Sequence, residues 1–356
     1  MTLVSILIPA YNAERWIGQT IESALNQTWP RKEIIVVDDG SRDETVTVAR
    51  RYSSPQLRVV RQPNQGASAA RNKAFSLCQG EFIQWLDADD LLSRDKIERQ
   101  MAILADGGRR LVASCGWGFF YYRPATAAFV PTPLWSDLSP TEWLLRKLGQ
   151  NLHMQTATWL VSREVAEKAG SWDVRLMSDD DGEYFCRVLL ASDGVRFAPE
   201  ARVYYRVSGA GSWGNLGRSR KSLEAQWLSM QLHIGYLRSL EDSQRVRAAC
   251  IRYLQTWFWD FYRSQPDLAG QFEALARELG GGLVTSQFSW KYAWIHRLFG
   301  WEVAKHSTVA LRQFNADRHP ARRARDVSRR AGRGTLRNAA GPTKPDRLGP
   351  GADSLP

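Results

Sequence analysis

The amino-acid sequence predicts an α/β protein with a doubly wound, mostly parallel sheet, followed by a helical extension. Short apolar runs alternate with helical patterns through the first hundred residues, the rhythm of strand–helix units. The runs are continuous rather than alternating, as strands covered on both faces require. Two of them end in carboxylates, Asp38-Asp39 and Asp87-Ala88-Asp89-Asp90, and the carboxyl edge of such a sheet is where α/β proteins bind ligands.

Leu3–Pro9 is the first apolar run. Ile17, Ile21, Ala24 and Leu25 follow at i, i+4, i+7 and i+8, a helical period. A strand is expected over Glu33–Asp38, then a helix from about Asp43 to Tyr52 with Asp43 or Ser41 as its cap. Leu57–Arg61 reads as the third strand, and Gly66–Leu77 as a helix of small residues that packs close to the sheet. Phe82–Asp87 is the fourth strand and Arg94–Ala105 a further helix. Right-handed crossovers would set every strand's carboxyl end on one edge. The two acidic strand ends, read as neighbours there, would form one pocket.

Past residue 110 the rhythm breaks. Trp117 to Trp135 is aromatic and Pro-punctuated, read as strands and loops. Trp143–Leu148 predicts a short helix, Thr156–Val161 a strand, and a helix starts near Asp181 and runs to about Ala191. Val195–Phe197 and Arg202–Val207 read as two short strands. Ser219 to about Ser264 is one long helical pattern, and 283–311 a final aromatic and basic helical stretch. No internal repeat is present.

The chain has 356 residues, 44% of them apolar, enough to fill a core. No stretch reaches the roughly 18–20 apolar residues that span a bilayer, and the start lacks the basic segment of a signal peptide. Cys78, Cys115, Cys186 and Cys250 are scattered without a CxxC pair, which reads as buried thiols in a reducing compartment. The expectation is a cytoplasmic protein, free or peripheral on the inner face of a membrane. The net charge is +11. From residue 312 onward, Lys and Arg exceed Asp and Glu by seven, leaving four for the remainder. That basic tail, rich in Pro and poor in large apolar groups, is expected to be disordered.

Crowded carboxylates at a strand end repel one another, so a positive group should sit among them. A hard divalent cation, Mn²⁺ or Mg²⁺, that also takes phosphate oxygens suits such a set. The five His are scattered and form no ligand set, and His153 reads as a packed or surface residue. Most of the fifteen Trp, Trp85, Trp159 and Trp227 among them, fall in apolar patterns and read as core. Trp213, within Ser208-Gly209-Ala210-Gly211-Ser212-Trp213-Gly214, reads as part of a mobile lid.

Four pieces in register carry a resemblance: Ser5-Ile6-Leu7-Ile8-Pro9-Ala10-Tyr11-Asn12, Ile35-Val36-Val37-Asp38-Asp39-Gly40-Ser41, Asn64-Gln65-Gly66 with Ala70-Arg71-Asn72, and Leu86-Asp87-Ala88-Asp89-Asp90. In this order they resemble glycosyltransferase family 2, inverting enzymes of the GT-A fold, closely over residues 3–105 and weakly to about 207. The resemblance implies a GT-A domain over 1–207, with a nucleotide-binding half to about 105 and an acceptor half over 106–207. A flexible segment and helical extension would follow over 208–311, and the basic tail over 312–356. It implies transfer of one sugar from a nucleotide-diphosphate sugar, UDP-linked first, to a glycan or lipid-linked acceptor in surface polysaccharide or glycoconjugate synthesis. Pro9, Ala10 and Tyr11 would wall the base and Asp39 would accept its N–H. Asp87 and Ala88 would sit by the ribose and diphosphate, and Asp89 would hold the metal. Arg71 would balance the acidic pocket or meet the nucleotide. The base that deprotonates the acceptor would be Asp181, with Asp180 the alternative, in Ser178-Asp179-Asp180-Asp181-Gly182-Glu183-Tyr184-Phe185-Cys186-Arg187. These acids also fit a plain helix N-terminus. The Gln/Arg-x-x-Arg-Trp element of the family's processive polymerases is absent after Asp181, so a single-addition enzyme is expected.

Three other functions compete. A nucleotidyltransferase would start with a Gly-rich loop, where this chain has Pro9-Ala10-Tyr11-Asn12. A nucleic-acid binder would act through the tail, which lacks the interleaved aromatics of a specific reader. A catalytically silent relative would use the same pocket only to bind. Residues 283–337 would either pack on the protein or lie on anionic membrane. If they meet lipid, removing the chain from about residue 282 onward abolishes binding to anionic liposomes in a flotation assay; if they pack, binding is absent from the start.

Overall fold

The structure is a computed structural model that describes residues 2–284, except 53, 106–107, 178 and 208–218. The expected lid with Trp213, the 285–311 stretch and the basic tail lie outside the described residues.

The first half alternates as expected: β1 (Val4–Ala10), α1 (Ile17–Leu25), β2 (Lys32–Asp38), α2 (Thr45–Arg50), β3 (Leu57–Arg61), α3 (Ala67–Leu77), β4 (Phe82–Trp85), the two-residue β5 (Leu91–Leu92) and α4 (Lys96–Ala105). The second half holds β6 (Leu111–Phe120), β7 (Ala128–Phe129), α5 (Pro140–Gln150), β8 (Val161–Ser162), α6 (Arg163–Ala169), α7 (Asp180–Ala191) and β9 (Gly194–Arg206). The helical extension is α8 (Arg220–Leu240), α9 (Gln244–Ser264) and α10 (Pro266–Glu278).

The main sheet runs β3-β2-β1-β4-β8, with β1 to β4 parallel and β8 antiparallel beside β4. The order reverses at β1, so the edge beyond the carboxyl ends of β1, β2 and β4 is a topological switch point. The two acidic strand ends are therefore not neighbours: β1 lies between them, and Pro9-Ala10 separates Asp39 from Asp87. Every residue of β1 is buried. Ile6 and Ile8 face the core with Ile17 and Ile21 of α1, while Leu7 faces the opposite core with Ala70 and Ala74 of α3. That sorting by parity is the period of two of a strand covered on both faces. A second sheet, β5-β9-β6-β7, packs on the α1 side, with β6 and β9 parallel. The helical extension joins the α3 side. No helix among the described residues is long and apolar enough to cross a membrane. All four cysteines are buried free thiols.

Several expectations change. The strand expected at Thr156–Val161 is a 3₁₀ turn at Thr156–Thr158 followed by the two residues of β8. Gln155 causes this, because its side chain accepts from the Ala157 N–H and closes the turn. The two short strands at 195–207 are one strand, β9, whose register against β6 slips between Cys115 and Gly116. Pro199 sits in the slipped part, where a residue without an N–H is tolerated. The long helical pattern is two helices: Ser243 caps α9 with its hydroxyl on the Val246 N–H. Finally, β4 ends at Trp85, so Asp87 lies in a turn and does not share a strand face with Asp89.

Lys96 is fully buried, its ammonium donating to Gln84 Oε1 and to the Trp159 carbonyl at 3.4 Å. Burial lowers its pKa to about 7. Between that value and the roughly 10.4 of an unfolded lysine, the unfolded chain binds the extra proton, so stability rises with pH there. Urea unfolding should show a gain of about 1.4 kcal/mol per pH unit from this group between pH 7 and 10. Lys96→Met should flatten the rise.

Candidate active site

The β1 and β2 ends are tied together. Asp39 N–H donates to the Ala10 carbonyl at 2.8 Å, and Asn12 N–H to Ser41 Oγ at 2.9 Å. Asn12 adopts a left-handed φ of 47°, and its side chain accepts from the Arg42 N–H at 2.9 Å. Pro9 and Ala10 are buried, while Tyr11 is 48% exposed at the rim. The Asp39 carboxylate is buried and held by three donors: Gln62 Nε2 (2.8 Å) and Gln65 N (2.9 Å) on Oδ1, and Gly66 N (2.8 Å) on Oδ2. A carboxylate has about four acceptor directions, so one on Oδ2 is left. Gly40 makes this possible: its φ is +73°, and a Cβ there would lie 2.8 Å from the Asn64 nitrogen.

Residues 87–90 form a turn closed by Asp90 N–H on the Asp87 carbonyl at 3.1 Å. Its far side is fixed by Asp90, fully buried, which accepts from the Arg206 N–H at 2.8 Å and from Gln155 Nε2. Burial, then the charges of Asp89 and Asp87, push the Asp90 carboxyl well above its ordinary range. Arg206 also donates to the Asp89 carbonyl (2.8 Å) and to Gln19 Oε1 (2.7 Å), and its guanidinium lies over Trp16 and Phe120. Thr20 completes the cradle through the Ala88 and Asp90 carbonyls. With the backbone fixed from behind, Asp87 and Asp89 remain half-exposed at the front, while Ala88 is buried. Arg206, Gln155 and Thr20 carry no local sequence signal. They act on this turn only through contacts 65 to 117 residues apart.

The opposite wall is the first turn of α7. Arg71 joins it to the 87–90 turn: Nη1 meets Asp180 Oδ2 at 2.7 Å and Nη2 meets Asp87 Oδ1 at 2.8 Å. Its side chain is only 7% exposed and its guanidinium stacks over Trp172, 4.3 Å from the ring centroid. Trp172 in turn stacks on Tyr184 at 4.0 Å, with Trp85 edge-on to both. Burial disfavours charge on Arg71, but Asp180 and Asp87 outweigh it and raise its pKa. Burial pushes the Asp180 carboxyl up against the pull of Arg71. Ser68 also donates to Asp180, at 3.1 Å. Asp181 is different. It accepts from the Thr156 hydroxyl at 3.2 Å and from the Gly182 N–H at 2.8 Å, and it makes no ion pair among the described residues. Asp181 is thus half-exposed and held by neutral donors alone. Of the predicted acids, the structure brings Asp87 and Asp180 together through Arg71; Asp39 is turned instead toward residues 62–66.

His153, read as packed or surface, is exposed and stands edge-on to Trp117 at 5.7 Å. The surrounding protein strips enough water from its ring to lower its pKa, against the pull of Asp181, Asp179 and Asp87. Trp85, Trp159 and Trp227 are buried. Among the described residues no group of three or more His, Cys, Asp or Glu could hold a metal ion. Two half-exposed carboxylates on one turn, Asp87 and Asp89, fit a hard cation that completes its shell with ligand oxygens.

The Arg71 bridge predicts a clear loss. Arg71→Ala leaves Asp87 and Asp180 facing without a cation and should cost roughly 3 kcal/mol, visible as a lower melting temperature. Arg71→Lys keeps charge but not the fork, so it should recover part of the stability while the bidentate geometry, and activity with it, stays lost.

A sequence model described as Glycosyl transferase family 2 matches residues 5–170. An uncharacterized glycosyltransferase of Rickettsia typhi is 30% identical over 246 residues, 68% of this chain and 74% of that protein. The chondroitin synthase of Escherichia coli is 44% identical over 98 residues, 27% of this chain but 14% of that larger protein. Relatives from Haemophilus influenzae and Bacillus subtilis are matched over 42% and 46% of their own length. The crystal structure of S. aureus TarS 1–349 in complex with UDP-GlcNAc superposes with a TM-score of 0.62 at 18% identity, covering 78% of this chain and 80% of that one. The shared fold is the GT-A fold, and the chain is a glycosyltransferase that belongs to family 2.

Proposed function

We propose that the protein is a metal-dependent inverting glycosyltransferase that moves a single sugar from a UDP-sugar to a hydroxyl of a glycan or lipid-linked acceptor. The observation that carries this reading is the Arg71 bridge, which puts the Asp87–Asp90 turn and the Asp180–Asp181 pair on two sides of one cleft. Two relatives support the finer points. The TarS structure carries UDP-GlcNAc, and the E. coli relative is named for chondroitin synthesis, which favours a surface polysaccharide as the product class.

The roles divide by position in the cleft. The one open acceptor direction on Asp39 suits the N3–H of uracil or thymine, with Pro9, Ala10 and Tyr11 beside the ring. Asp87 and Ala88 border the ribose and diphosphate. Asp89, aided by Asp87, would hold Mn²⁺ or Mg²⁺, which when bound neutralises the departing diphosphate. Asp181 takes the proton of the acceptor hydroxyl as its oxygen bonds to the anomeric carbon. The bond from that carbon to the diphosphate oxygen breaks, and the electron pair leaves with the nucleotide. Attack opposite the leaving group inverts the configuration. Asp180, bound to Arg71, is the less able base and instead holds the wall in place.

Thermal unfolding with Mn²⁺ or Mg²⁺ against UDP, dTDP, GDP and CDP tests the donor. A ligand at about 100 times its Kd adds roughly 2.7 kcal/mol. The expected result is a metal-dependent shift with UDP that disappears in Asp39→Ala and Asp89→Ala. A shift that needs no metal, or none with any nucleotide, overturns this reading.

A further inference from the structure

The helical extension touches the candidate base helix at an unusual place. Asp179, the residue before α7, adopts a left-handed conformation (φ 57°, ψ 27°). Such a conformation is uncommon outside glycine, and an Asp at a helix start normally accepts an N–H of its own helix. Asp179 makes no such bond. Its carboxylate meets α8 instead: the Ser229 hydroxyl, shared between Oδ2 at 3.2 Å and the Gln226 carbonyl at 3.0 Å, donates to it, and His233 Nδ1 lies 3.7 Å from the same oxygen. Behind it, His233 Nδ1 is 3.1 Å from the Tyr253 hydroxyl of α9. Ser229 and His233 are fully buried.

The side chain of Asp179 also folds over Gly182. A Cβ at Gly182 would meet Asp179 Oδ1 at 2.0 Å, so only glycine allows this geometry. One turn on, Tyr236 of α8 donates to Glu183 Oε1 at 2.7 Å, and Glu183 holds Arg187. Positions 179, 182 and 183 each carry such a contact, and Asp180 and Asp181 lie between them.

We propose that α8 is a positioning element of the transfer reaction: Ser229, backed by His233 and Tyr253, holds Asp179 in its left-handed conformation and so fixes the aim of Asp180 and Asp181. The extension is then part of the catalytic apparatus although none of its described residues meets the predicted donor site. Burial keeps His233 neutral, with a pKa of about 4, so this support persists across neutral pH. The proposal rests on the reading of Asp181 as the base.

The test uses the full chain and compares Ser229→Ala, Asp179→Ala and Asp179→Asn with Ile234→Val, a buried change on the same helix away from Asp179. Two readouts are taken: hydrogen exchange at the amides of residues 182–184, and release of UDP from UDP-GlcNAc with Mn²⁺. Ser229→Ala and Asp179→Ala should speed exchange at 182–184 and lower kcat about tenfold, with KM for the donor nearly unchanged. Asp179→Asn, which tolerates the left-handed region and keeps an acceptor oxygen, should restore most of both. Ile234→Val should lower the melting temperature alone. Unchanged exchange in Ser229→Ala, or an equal effect in Ile234→Val, overturns the proposal. Asp181→Asn separates the two readings. If it retains turnover, the base assignment fails; if it is inactive while Ser229→Ala turns over normally, only the positioning role fails.

Discussion

The site depends on one buried cation. Arg71 stands between Asp87 and Asp180, and without it two acid-bearing segments would meet in a space of low dielectric, where like charges repel strongly. The shape of its guanidinium suits that position, since two nitrogens reach two carboxylates and the flat face rests on Trp172. The aromatic stack beneath, Trp172 on Tyr184 against Trp85, carries the constraint into the core. Position, charge balance and packing are therefore one arrangement.

Around that centre the chain fixes acids from behind and leaves their fronts open. Asp39 is held by loop amides, the 87–90 turn by Asp90 and Arg206, and the α7 turn by Asp179 and α8. The 87–90 turn is the clearest case: Asp90, fully buried, does the holding, and Asp87 and Asp89 beside it stay half-exposed. The buried partner desolvates and hydrogen-bonds, and the exposed neighbour stays available for a ligand. Pre-organisation of this kind lowers the reorganisation needed when charge moves during transfer.

What could be read from the sequence follows from range. The first hundred residues were legible because each β–α unit is local and each strand is a continuous apolar run. The acid motifs were legible because they are contiguous and follow strand ends. Arg71 was visible as the only cation in the helix start Gly66–Arg71, though not which acids it meets. The parts that escaped are non-local. β6 and β9 pair in parallel across more than eighty residues, and a slip in that pairing made one strand look like two. Gln155 turned a strand-like run into a 3₁₀ turn by one side-chain bond. His153 looked ordinary because its neighbours come from other elements. The three consecutive acids at 179–181 looked equivalent, yet the structure gives each a separate partner: Ser229, Arg71 and Thr156.

The same non-locality sets an order of assembly. Arg206, at the end of β9, clasps Gln19 of α1, 187 positions earlier, and the Asp89 carbonyl, 117 positions earlier. As the chain leaves the ribosome, its first half emerges with the acid-bearing turn complete in sequence but without the residue that braces it. Contacts across such distances close late, because the entropy of the intervening loop must be overcome first. The pocket is thus finished only when the last strand of the GT-A domain has been made, so a half-synthesised chain holds the motif without holding its shape.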